Sequence, residues 1–137
     1  MQEGVFFVNN RGEKLSGTVH GKGAKAVILC HGFRSSKENN AAWAEKLSDS
    51  FAVLRFDFSG HGESDGELKD ITLTRLLADM SAAIGFMASR GAKSIGLAGH
   101  SLGGIAFHPC VSPRKGDMFS GRCNGLFPSK LEQVRAA

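Results

Sequence analysis

The sequence predicts an α/β protein in which an antiparallel hairpin is followed by parallel strands with flanking helices. Three observations carry that prediction. Short, predominantly apolar runs recur at 26–30, 51–56 and 94–98, and such runs suit strands that are covered on both faces. The segments between them keep apolar residues at helical spacing. Strands alternating with helices in this way imply right-handed crossovers, and therefore a parallel sheet held between layers of helix.

The elements follow in order. Gly4 to His20 reads as a hairpin: Val5-Phe6-Phe7-Val8, a turn at Asn9-Asn10-Arg11-Gly12, then Lys14 to His20 with alternating polarity. After Gly21-Lys22-Gly23, the run Ala26-Val27-Ile28-Leu29-Cys30 reads as a central parallel strand. Ser35 and Glu38 stand at capping-box spacing before a helix over Ala41 to Leu47, with Trp43 and Leu47 four apart on one face. Phe51 to Phe56 is the next strand. Leu73, Leu76, Leu77, Met80, Ile84 and Met87 then mark the apolar stripe of a longer helix, which Gly91 terminates. Ser94 to Ala98 is one more buried strand.

Ligands of such sheets bind beyond the carboxyl ends of the strands. Three segments leave the strands there, and all three are expected to face one cleft: His31-Gly32-Phe33, Asp57 to Ser64, and Gly99-His100-Ser101-Leu102-Gly103. Beyond Phe107 the pattern stops, because Pro109 blocks the helix begun at Leu102 and Ser, Gly, Pro and basic residues follow without hydrophobic period. The predicted organisation is a partial domain over 1–107 and an irregular, non-native or disordered tail over 108–137. Ser129 and Glu132 could open a terminal helix, but one too short to stand alone.

Composition narrows the function classes. Residues 1–107 hold 12 Lys/Arg against 11 Asp/Glu, and residues 108–137 hold 5 against 2, so most of the formal charge of +4 sits in the tail. Without a basic stripe interleaved with aromatics, nucleic acid is not an expected partner. No run approaches the roughly 18 apolar residues of a membrane span, and the start Met1-Gln2-Glu3-Gly4-Val5 has no signal-peptide pattern. Three scattered cysteines, Cys30, Cys110 and Cys123, fit a reducing compartment, so the expected location is cytoplasmic. His108, Cys110 and Cys123 lack the paired spacing of a zinc site, and no metal or other cofactor is expected.

Ser101 carries the chemistry. A glycine two residues before it and another two after permit the sharp strand-to-helix turn that exposes a nucleophilic hydroxyl; a Gly-rich helix start with an N-capping serine gives the same letters. A serine that attacks an acyl carbon creates an oxyanion, for which the N–H of Leu102 at the helix start and that of Phe33 after the first central strand are the natural donors. Gly32 could alternatively do no more than make the turn.

With these residues in place, the chain resembles the alpha/beta-hydrolase family, and within it the serine aminopeptidase-like group of monoacylglycerol lipases, feruloyl-type esterases and related carboxylesterases. The resemblance rests on Ile28-Leu29-Cys30-His31-Gly32-Phe33, on Phe56 to Ser64 and on Ala98 to Gly104, and it covers residues 4 to about 107. It implies the N-terminal portion of that fold, Ser101 as nucleophile, and Phe33 and Leu102 as the oxyanion hole. His31, Gly32, Asp57, Gly60, His61, Gly62, Gly99, His100 and Gly103 are then the residues that shape and brace the cleft. The chain departs from the family after the serine, where an acid and then a histidine belong. His108 is the sole histidine there, and a continued helix would place it about 10 Å along the axis. Asp117 lies in the patternless tail.

The expectation is therefore a serine hydrolase of carboxylic esters or related acyl compounds, truncated and inactive alone. Two alternatives are a non-catalytic module that binds a small molecule or a protein, and a subunit completed by a partner chain. The strand over 94–98, normally internal in this family, is expected to leave an exposed edge through which copies self-associate. The loops that would set substrate and acyl-chain preference are not in the sequence.

Overall fold

The computed structural model describes residues 2–99 and the backbone of residues 120–121. The strands are β1 (Gln2–Val8), β2 (Lys14–His20), β3 (Lys25–Cys30), β4 (Ala52–Phe56), β5 (Ser94–Gly99) and the two-residue β6 (Ser120–Gly121), and the helices are α1 (Ala41–Leu47) and α2 (Leu73–Ser89). Short 3-10 turns over Lys37–Asn40 and Leu68–Asp70 precede the two helices. The predicted division at residue 107 and the predicted terminal helix lie outside the described residues.

The strands form one mixed sheet in the order β1-β2-β4-β3-β5-β6. β1 pairs antiparallel with β2, and β2 antiparallel with β4. β3 then runs parallel to β4 on one side and to β5 on the other. Gly12, at φ +78, closes the first hairpin with its N–H on the Asn9 carbonyl, a backbone conformation that favours glycine.

Alternate residues of β3 feed two cores, as expected of a strand buried on both faces. Ala26, Ile28 and Cys30 join Leu54, Phe56 and the α2 residues Leu76, Met80, Ile84 and Met87 in the larger one. Val27 and Leu29 join Val53 and Ala44 of α1 on the opposite face. Each helix thus covers a different face of the sheet, the α/β layering predicted above. Thr72 caps α2 by accepting the Arg75 N–H, and Gly91 follows its end at φ +99.

Two local expectations are corrected, the capping box and the burial of Leu73, and the depth of Trp43 is set by the docking of α1. The capping box does not form: Ser35 Oγ accepts from the Asn39 side chain and Glu38 reaches Arg55. Glu38 gains more from a buried cation than from a helix end. Trp43 is 48% exposed while Ala44 is fully buried, because a helix of seven residues docks by its small residue close to the sheet and turns its neighbour about 100° away. Leu73 is exposed at the first turn of α2, and the buried stripe instead includes Asp79.

Candidate active site

The registers set the site. Cys30 at the end of β3 pairs with Phe56 of β4 on one side and with Gly99 of β5 on the other. Three strands therefore end level, side by side, and the chain leaves each at the same edge of the sheet.

From β3 the chain enters a tight turn in which Ser35 N–H donates to the Gly32 carbonyl at 3.1 Å. Arg34 sits at φ +61, the one described non-glycine residue in that region. His31 is buried at the base of the turn. Its Nδ1 lies 2.7 Å from the Gly32 carbonyl, and its Nε2 accepts the Phe58 N–H at 3.0 Å. One nitrogen must donate and the other accept, so the ring is neutral. Burial lowers its pKa, against the opposing pull of the Gly32 carbonyl. His31 is thus a strut between two strand ends, with both nitrogens engaged.

The segment after β4 is held by Asp57, which is fully buried. Its Oδ1 accepts the Lys37 N–H at 2.7 Å, and its Oδ2 accepts Lys37 Nζ at 2.8 Å and the Glu63 N–H at 3.0 Å. Ser64 Oγ donates to the Asp57 carbonyl at 2.6 Å, so both ends of the loop fold back on one residue. Burial opposes the charge on Lys37, but its bonds to Asp57, Glu38 and Glu63 outweigh that and hold its pKa above the usual value. Gly62 lies at φ +49, and a Cβ there would fall 2.3 Å from Asp57 Oδ2. Gly60, at φ +75, packs on the Glu67 backbone, 2.8 Å from where a Cβ would stand. From below, Asp79 of α2 accepts the Ser59 N–H at 2.8 Å, and Asn9 and Arg11 of the first hairpin complete its shell.

His61 joins the two segments. It is buried, 4.8 Å from the His31 ring and 6.0 Å from the Phe33 ring. Its Nδ1 meets the Ser59 carbonyl at 3.0 Å, while its Nε2 is buried without a hydrogen-bond partner among the described residues. Beside these rings an open cleft of about 490 Å³ lies between His31-Gly32-Phe33 and the side chains of Ser35, Asn39, Asn40 and Trp43.

Of the residues singled out in the sequence, the structure brings His31, Gly32, Phe33, Asp57, Gly60, His61 and Gly62 together, with Gly99 level beside them. Ser101, Leu102, His100 and Gly103 lie outside the described residues. Sequence reasoning missed Lys37, Arg55 and Asp79. Asp79 left a signal, a carboxylate within an apolar stripe; Arg55 likewise interrupts an apolar strand, where it is buried against His20 and Glu38. Lys37 left none, since its partner is 20 positions away. Among the described residues no group of three or more His, Cys, Asp or Glu is placed to hold a metal, and no helix is long and apolar enough to cross a membrane.

The family described as serine aminopeptidase, S33, matches residues 21–121. Est1E of Butyrivibrio proteoclasticus, solved with ferulic acid bound, superposes with a TM-score of 0.68 at 31% identity, over 74% of this chain and 45% of that one. Esterase Pf2001 of Pyrococcus furiosus gives 0.70 at 27% identity, over 84% and 48%. The dihydrolipoyllysine-residue acetyltransferase component of the acetoin cleaving system of Cupriavidus necator is 32% identical over 84 residues, 61% of this chain and 22% of that protein. The chain thus spans less than half the length of each of these relatives.

Proposed function

Because the chain belongs to the serine aminopeptidase S33 family, within the alpha/beta-hydrolase fold, we propose that it carries the nucleophile side of a serine acyl hydrolase, acting on a carboxylic ester or a related small acyl compound in the cytoplasm. The observation that supports this best is the level ending of β3, β4 and β5. It sets the turn bearing Phe33 beside Gly99, two residues before Ser101.

In this reading Ser101 Oγ attacks the acyl carbon, and the oxygen that gains the charge is held by the N–H groups of Phe33 and Leu102. Asp57 and His31 act at one remove, fixing the turn that aims the Phe33 N–H, and Gly60, His61, Gly62, Gly99, His100 and Gly103 shape its surroundings. The proton of Ser101 needs a base. Both His31 nitrogens are engaged and His20 accepts from Arg55 within the sheet; His61 is buried in its own loop with Nδ1 on the Ser59 carbonyl, His100 directly precedes the serine, and the sequence after Ser101 offers only His108. A nucleophile without its base loses on the order of a millionfold in turnover, so this chain by itself is inactive.

The test is fluorophosphonate labelling with and without added imidazole as a diffusible base. The expected result is no labelling of the chain alone and slow labelling of Ser101 with imidazole, lost in Ser101→Ala. Rapid labelling without imidazole overturns the inactivity, and none under either condition in a folded sample overturns the nucleophile.

A further inference from the structure

The cleft beside Phe33 has a chemistry of its own. Phe33 and Trp43, 54% and 48% exposed, belong to different elements and both line it. Leaving two large aromatic faces at one concave site is costly in water unless something covers them. The remaining side chains are the hydroxyl and amides of Ser35, Asn39 and Asn40, with His31 and Gly32 completing the lining. Asn40 Nδ2 is shut off from solvent with no hydrogen-bond partner among the described residues, a deficit of about 1–3 kcal/mol for a buried donor. A turn of that side chain toward the cleft it lines, to meet an acceptor there, removes the deficit. Among the described residues the lining holds no Lys, Arg, Asp or Glu, and His31 is neutral with both nitrogens engaged.

We propose that this cleft is a binding subsite for an uncharged aromatic group bearing an acceptor oxygen. The ring lies against Phe33 and Trp43 and the oxygen accepts from Asn40. The volume of about 490 Å³ is ample for one such group. The identification of that group as the aryl portion of an ester rests on the hydrolase reading above; the binding itself does not.

Trp43 is the single tryptophan of a chain without tyrosine, so its emission reports occupancy of this site directly. The chain is titrated with 4-methoxybenzyl alcohol, and separately with 4-ethyltoluene, a similar ring lacking oxygen. The expected result is a saturable change with the alcohol and about tenfold weaker binding of the hydrocarbon, the difference that one hydrogen bond supplies. Asn40→Ala should erase that preference, and Phe33→Ala should weaken both ligands. Asn40 makes no capping bond to α1, so its replacement leaves the helix intact, and the ligand pair tests the idea on the unaltered chain in any case. A linear, non-saturating response, or equal affinity for both ligands, overturns the proposal. Saturable binding without labelling of Ser101 removes the hydrolase reading and leaves this site standing; labelling with a flat titration does the reverse.

Discussion

Replacing Lys37 with methionine removes the side-chain cation that, among the described residues, pairs with Asp57 and leaves a fully buried carboxylate behind. Breaking a buried pair from one side costs about 3–5 kcal/mol. The lower part of that range applies here, because the N–H groups of Lys37 and Glu63 still donate to Asp57. Losing the contacts to Glu38 and Glu63 adds under about 1 kcal/mol each, since those carboxylates are 60% and 71% exposed. The expected destabilisation is about 3–4 kcal/mol, a large share of the total for a domain of this size. Adding Asp57→Asn removes the stranded charge, so the double variant should lose less than Lys37→Met alone, with a coupling of about 2 kcal/mol. Urea unfolding followed through Trp43 measures both, provided the slopes agree. A loss below about 1 kcal/mol for Lys37→Met, or strictly additive effects, would show that Asp57 is not held by this pair.

Three further outcomes follow from the same structure. Gly62→Ala should cost at least about 2 kcal/mol, combining left-handed backbone strain with displacement of Asp57; a thermal melt matching the parent chain would refute the close approach. Stability should fall as the solution is acidified below about 6.5, the ordinary histidine value. His31 and His20 have depressed folded values, so the stability they confer is complete above the unfolded pKa and is lost as pH falls through the folded one. A melting temperature that holds constant from neutral pH down to pH about 5 would contradict this sign. Among the described residues β6 pairs with β5 at Leu97 and Ala98, and we propose that copies of the chain associate through this edge of the sheet; sedimentation showing a monomer at every concentration would exclude it.

The elements were legible where a single period governs them. β3 and β4 announce themselves as apolar runs, α2 as a stripe, and its end as Gly91. What escaped was decided across the sheet. Spacing places Trp43 and Leu47 on one face of α1 but not how deep each sits: the short helix approaches β3 through Ala44 and leaves the indole half exposed. Glu38 reads as a cap until Arg55, 17 residues later, offers a stronger partner. His31 and Asp57 were legible as cleft residues through their motifs, but Lys37 acquires its role only when β3 and β4 lie side by side.

The place of β3 between β4 and β5 also imposes an order in time. Both of its neighbours are encoded after it, and the second is complete only at Gly99. At ordinary synthesis rates the roughly 70 residues from Cys30 onward take about 4 to 14 s to appear. The β1–β2 hairpin can close at once from local contacts, but through that interval Val27, Ile28 and Leu29 have at most one flank covered. The contacts that hold the turn carrying Phe33 come earlier, from Asp57 and Phe58 just after β4, so the turn can be fixed while the β5 flank of β3 is still open.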